Sequence, residues 1–189
     1  MAKLLLLLTV TLAAAYYTDD NEFIERHIIL RNGGRCLMAK PMRELLDNFH
    51  NNLRREVALG HNYLGHQFQP QEMCGLIYDC EMERVALKEL DGQGNAAKSG
   101  YGVMINPKAT KFGCGAKMSR SPTNTREVNI VCLYDRKTRR KNPQQPKGES
   151  CCVEHDCDRI TQCTFYKNAK CLWDLCYVPA EGEDIDTLM

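Results

Sequence analysis

Residues 41–60 read PMRELLDNFHNNLRREVALG, and this stretch decides the fold. Pro41 suits a first helical position, where its missing N–H has no partner to lose. Apolar residues recur at Met42, Leu45, Leu46, Phe49, Leu53 and Val57, the spacing of one helical face, and Gly60 can close the helix in a left-handed conformation. The pattern predicts a helix with that stripe turned inward and Arg43, Glu44, Asn51, Arg54 and Arg55 mostly outside it.

Working outward, a second helix is expected from about Gln71 to Leu90, with Met73, Leu76, Ile77, Cys80, Leu87 and Leu90 inward and Gly92 and Gly94 breaking it. Strand signals follow. Val103–Ile105 and Lys111–Met118 are short extended candidates, and Val128, Ile130, Cys132 and Tyr134 alternate along Glu127–Tyr134. With Ser121-Pro122-Thr123-Asn124 as the loop, a hairpin of this register brings Cys114 near Cys132, so a cross-strand disulfide is open to it.

The chain has 189 residues, one ordinary domain with a small appendage, which excludes a large multidomain enzyme. Lys and Arg number 25 against 24 Asp and Glu, so no whole-chain field favours nucleic acid. Eleven cysteines point to disulfides and an oxidising compartment, and the odd count leaves one thiol without an internal partner. The N-terminus supports export: Lys3 precedes the apolar run Leu4–Ala15, and Ala13-Ala14-Ala15 offers the small side chains of a cleavage site. Residues 1–15 are therefore expected to be a signal peptide, too short for a stable membrane span. Residues 16–35 read as an irregular lead-in.

Residues 136–150 form a basic, proline-containing linker, with six basic side chains and no acid between Arg136 and Gly148. That run invites a sulfated glycan, a host surface or a furin-like protease, although most such runs are solvated linkers. Beyond it, Cys151, Cys152, Cys157, Cys163, Cys171 and Cys176 define a cysteine-rich module over residues 151–178. Disulfides are expected there in place of a hydrophobic core, and a zinc site is disfavoured because paired CxxC spacings are missing. Residues 179–189 carry four acids and read as a solvated tail.

His50-Asn51-Asn52-Leu53-Arg54 fits HNxxR, and Leu76-Ile77-Tyr78-Asp79-Cys80-Glu81-Met82-Glu83 follows on the second helix. These strings resemble the opening helices of the CAP superfamily (SCP/TAPS), especially the secreted venom-allergen-like and activation-associated proteins of parasitic nematodes. Lys108–Gly115 and Ile130–Tyr134 are similar to that family's closing strands. The resemblance covers residues 36–135 and implies an α/β fold, an α-β-α sandwich of CAP type, truncated and followed by a small disulfide-rich module. It also implies, by analogy to relatives, a Cys36–Cys80 bridge. With Cys114 paired to Cys132 and the six later cysteines paired among themselves, Cys74 is the odd thiol, and a covalent dimer through it requires an exposed side chain.

The family's GEN-type motif and GHFTQMVW-like strand have no counterpart, because only Asp91–Gly100 separates Leu90 from Tyr101. Gly100 stands where the family's histidine would be and Asn106 where its tryptophan would be. The remaining members of a two-His, two-Glu cavity that binds divalent metal in some relatives fall in the missing stretch. His61 and His66, with Glu72 and Glu81 nearby, match no ligand spacing, so neither a metal nor another cofactor is expected. His50 is expected to orient Arg54 or a backbone carbonyl rather than to act as a base, and no Gly-x-Ser-x-Gly nucleophile is present. The resemblance implies a secreted, extracellular, non-catalytic protein that binds an extracellular or host ligand, with immune modulation as the general role. A lipid- or sterol-binding protein is the alternative, as is an incomplete gene model lacking an internal exon.

Overall fold

The computed structural model of the chain describes residues 28–63, 65–92, 104–120, 124, 126–136 and 163–189. The expected signal peptide, Gly100, most of the basic linker and Cys151, Cys152 and Cys157 lie outside the described residues. Strand β1 (Leu30–Arg31) precedes α1 (Lys40–Leu59), two short strands β2 (Asn62–Tyr63) and β3 (His66–Gln67), and then β4 (Ile77–Asp79) leading into α2 (Cys80–Leu90). The long hairpin β5 (Lys111–Arg120) and β6 (Arg126–Tyr134) follows, and β7 (Lys170–Leu172) with β8 (Leu175–Tyr177) ends the series of strands.

Helix α1 lies where its pattern placed it. Pro41 stands in its first turn, and Gly60, at φ 78°, ends it in the left-handed region. Its buried face is another matter. Leu45 and Phe49 are exposed, while Asn51, Arg54 and Arg55, expected outside, are buried. The physical reason is that these polar side chains find partners on neighbouring backbone, and a buried polar group is tolerated once its hydrogen bonds are made.

The second helix is shorter than its pattern suggested. Only Cys80–Leu90 is helical, and Ile77–Asp79 is a strand buried throughout. A short continuous apolar run reads alike as buried strand or buried helix, and Met73–Tyr78 is such a run. Asp79 decides the switch: its carboxylate accepts hydrogen bonds from the N–H groups of Glu81 and Met82, capping α2. Met104 and Ile105 lie in a helical turn rather than in the expected strand.

The main sheet has the order β1-β4-β5-β6, with β1, β4 and β5 parallel and β6 antiparallel to β5. The lead-in thus supplies an edge strand. In the hairpin Cys114 pairs with Cys132 and Met118 with Val128. Side chains alternate between the two faces of a strand. Phe112 packs against His50 of α1, whereas a Cβ at Gly113 or Gly115 would meet α2. The two helices therefore cover opposite faces, an α-β-α arrangement.

The described C-terminal residues, 163–189, share a core with the rest of the fold. Leu175, Tyr177 and Ile185 join Ile29, Leu53 and Val57 in one buried cluster. Strand β8 is stitched to the segment before β4 by hydrogen bonds from Gly75 N–H to Cys176 O and from Cys176 N–H to Met73 O, both 2.9 Å. The acidic tail is likewise docked. Ile185 is buried, Glu183 pairs with Arg31 at 2.7 Å, and Leu30 N–H reaches Leu188 O. Each large apolar side chain so buried is worth roughly 1.5 to 3 kcal/mol, which outweighs the solvation of a few surface carboxylates.

The approach of α2 to the sheet depends on Gly113. A methyl group there would lie 2.4 Å from Glu83 N and 2.7 Å from Asp79 O, both backbone atoms that cannot rotate away. Gly113→Ala is expected to lower stability by about 2 kcal/mol or more in urea denaturation. Gly34→Ala, with open space around the new methyl, should be close to neutral.

Candidate functional site

Positions 47, 50, 51 and 54 of α1 share one helical face, three and four residues apart, and that face presents polar groups to the protein interior. Asn51 pairs with a peptide unit as a strand would: Oδ1 accepts from Leu76 N–H at 2.8 Å and Nδ2 donates to Leu76 O at 3.0 Å. Arg54 is completely buried. Its Nε donates to Cys74 O at 2.8 Å, Nη1 to Met104 O, and Nη2 to Asn106 O and Ala109 O at 3.0 and 3.2 Å. Burial lowers its pKa to about 10, so it remains a cation at neutral pH.

His50 sits between Leu46 O, 2.6 Å from Nδ1, and the Tyr134 hydroxyl, 2.7 Å from Nε2. A carbonyl only accepts, so Nδ1 carries the proton and Nε2 accepts from Tyr134. Burial pushes the imidazole down to about 4, and a neutral ring with both nitrogens committed is a structural strut rather than a base. Tyr78 and Glu83 form a second internal pair. The Tyr78 hydroxyl donates to Glu83 at 2.9 Å, and the same carboxylate accepts from the N–H groups of Leu37 and Met38.

Of the residues singled out in sequence, His50, Asn51, Arg54 and Tyr78 therefore serve the interior, whereas Glu81 stands at the surface beside Arg35, 2.8 Å away. Bridges join Cys36 to Cys80, Cys114 to Cys132 and Cys163 to Cys176, and Cys171 is also disulfide-bonded. Cys74 is free and fully buried, so the exposed thiol that a dimer through it requires is lacking. His61 contacts Glu56 at 2.8 Å and Glu72 accepts from the N–H groups of Thr164 and Phe165, which holds the C-terminal segment rather than an ion. Among the described residues, ligand types cluster as His50, Cys114 and Cys132 and as Cys36, Cys80 and Glu83. Every sulfur in these sets is in a disulfide and cannot ligate as a thiolate, so neither set fits the family's divalent metal. Sequence reasoning passed over Asp47, placed Arg55 outside the core and gave Glu83 no role. The one available signal was the four-residue spacing of Asp47 and Asn51, whose side chains bond at 3.2 Å.

Clefts of about 560 and 510 Å3 lie among the described residues. The first is lined by the tail from Pro179 to Ile185, the second by Leu37, Val85 and charged residues of α2. Large apolar side chains stay exposed elsewhere: Leu45 and Phe49 on α1, and Met118, Val128 and Ile130 on the hairpin. Val128 and Ile130 share the α1-facing side of β6 with Cys132 and Tyr134 but lie beyond the packed part of that face.

Among solved structures, the chain is similar to manganese-bound Ac-ASP-7, at 29% identity and a TM-score of 0.62, covering 81% of this chain and 96% of that one. It is similar also to the Ancylostoma-secreted protein Ac-ASP-7, at 28% identity and a TM-score of 0.56, over 81% of this chain and 98% of that one. Na-ASP-1 matches at 22% identity with a TM-score of 0.55; the likeness spans 76% of this chain and 48% of that chain and concerns the fold alone. These are nematode activation-associated secreted proteins of the CAP family. No family profile matches the chain, and no curated protein matches it.

Asp47 gives the site a pH signature. Burial raises its carboxyl to about 7, against weaker lowering by the Asn51 hydrogen bond and the Arg55 charge. A carboxyl raised on folding contributes stability below its unfolded pKa and loses it as pH rises through 7. His50, lowered on folding, acts in the opposite sense: its contribution is present above about 6.5 and is lost as pH falls towards 4. The two slopes offset each other between pH 4 and 7. Asp47→Asn removes one of them, so urea denaturation of the variant should show stability rising across that range. The variant's advantage over the wild type should grow by about 3 kcal/mol between pH 4.5 and 8. A pH-independent difference would contradict the assignment.

Proposed function

From the premise that this chain has the CAP fold of the nematode activation-associated secreted proteins, we propose that it is a secreted, non-catalytic binder of an extracellular or host protein, with immune modulation as its general role. One observation carries this reading. The polar residues of the family motif are turned onto the protein's own backbone, and what faces solvent instead is apolar: Leu45, Phe49, Met118, Val128 and Ile130. Contiguous exposed apolar side chains mark surfaces that meet a partner, and on the hairpin Met118 pairs directly with Val128, two positions from Ile130 on the same face. A hydrolase needs an open coordination position or an activated nucleophile, and His50 has both ring nitrogens engaged.

Export rests on the N-terminal signal pattern and on the secreted neighbours, and no described helix is long and apolar enough to cross a membrane. The manganese of the Ac-ASP-7 structure is not carried over, because among the described residues the sulfurs of both ligand sets are held in disulfides. Lipid carriage needs an enclosed apolar cavity, whereas the two clefts described above are open, and each carries four charged side chains among its lining residues.

Binding of the labelled protein to host leukocytes, read by flow cytometry, should be saturable and competed by unlabelled protein. A Val128→Lys/Ile130→Lys double variant should bind at least tenfold more weakly while its melting temperature stays within a few degrees, because both side chains are exposed. Unchanged binding by that variant, or one tightly held manganese or zinc per chain by elemental analysis, would overturn this reading.

A further inference from the structure

The buried thiol of Cys74 is used by nothing described above, and its neighbours are sulfur. Cys74 pairs in parallel register with Cys176, and Cys176 pairs in antiparallel register with Cys171, so three cysteines stand abreast across three adjacent segments. Residues paired across strands project from the same face, with the backbones about 4.8 Å apart. That spacing falls inside the 4.4 to 6.8 Å Cα separation a disulfide spans. Cys176 is bonded instead to Cys163, at a Cα separation of 5.7 Å, and Cys74 and Cys176 alone form the fully buried centre of their own cluster.

We propose that Cys74 is the resident nucleophile of an internal thiol–disulfide exchange that moves the bridge at Cys176 from Cys163 to Cys74. The Cys74 thiolate attacks Sγ of Cys176, the Cys74–Cys176 bond forms as the Cys163–Cys176 bond breaks, and Cys163 leaves as a thiolate that takes up the proton Cys74 gave away. One thiol and one disulfide stand on each side of the step, and no oxidant or reductant enters.

Two consequences follow from the positions. The Cys36–Cys80 and Cys114–Cys132 bridges lie within residues 36–132 and Cys163–Cys176 within the C-terminal segment, whereas Cys74–Cys176 joins the two covalently. The odd thiol also moves from a buried position to half-buried Cys163, from which a covalent dimer can form. Burial pushes the Cys74 thiol up to about 12, with Arg54 and Lys108 pulling it down and Glu72 and Asp135 pushing it up. The exchange is therefore slow at neutral pH, and its rate follows the thiolate fraction, rising about tenfold per pH unit well below that pKa.

The test is peptide mapping of the full chain after incubation without added thiol at pH 7, 8, 9 and 10, quenched in acid and alkylated with N-ethylmaleimide. A Cys74–Cys176 cross-linked peptide should appear together with alkylated Cys163, about tenfold faster for each pH unit, and Cys74→Ser should yield neither. Cys163→Ser provides an arm independent of rate: the secreted variant should carry Cys74–Cys176 as its native bridge. Alkylation confined to Cys74 at every pH, or free thiols at both Cys74 and Cys176 in Cys163→Ser, would overturn the proposal.

Discussion

One buried cation organises this protein. Arg54 is shielded from water and has no carboxylate among its hydrogen-bond partners in the described residues; four backbone carbonyls, from Cys74, Met104, Asn106 and Ala109, receive its guanidinium instead. Hydrogen bonds to a charged donor contribute about 1.5 to 3 kcal/mol each, and together they set a favourable sum against a desolvation cost of several kcal/mol. What the arrangement secures is geometry. A planar fork with fixed N–H directions holds the segment before β4 and the turn before β5 at one distance from α1.

The neighbouring contacts extend the same device. Asn51 clamps the peptide unit at Leu76, and Arg55 reaches Trp173 O at 2.8 Å. Glu83 gathers the loop at Leu37 and Met38, and Glu72 gathers Thr164 and Phe165. Irregular backbone leaves polar groups that no ladder pairs, and here side chains from the helices and from the segment before β4 satisfy them. The same commitment accounts for the functional reading. The polar side chains of the HNxxR stretch point here at the chain itself, and the proposed function assigns the meeting with a partner to the exposed apolar side chains.

Much of this was legible in the sequence. The 3.6-residue spacing from Met42 to Val57 located α1, and the alternation at Val128, Ile130, Cys132 and Tyr134 gave β6 and its register with Cys114. What escaped were features that depend on partners distant in the chain. Periodicity ranks Asn51, Arg54 and Arg55 as surface residues, since it cannot see the carbonyls that receive them, while Leu45 and Phe49 carry the core pattern and stay exposed. The docking of Ile185 was hidden in the same way: an acidic stretch reads as solvated until Arg31 and the apolar pocket of Ile29 and Val57 are placed beside it.

The central claim is that the fork of Arg54, and not merely its charge, joins α1 to the two segments it contacts. Chemical denaturation of Arg54→Lys tests it most directly, with Arg54→Met as the companion that removes the charge as well. A lysine ammonium keeps the charge but has three donors on one nitrogen, unable to reach four carbonyls in two segments. The account predicts that Arg54→Lys loses about 3 kcal/mol or more, close to the loss in Arg54→Met. An Arg54→Lys protein within about 0.5 kcal/mol of the wild type would contradict it.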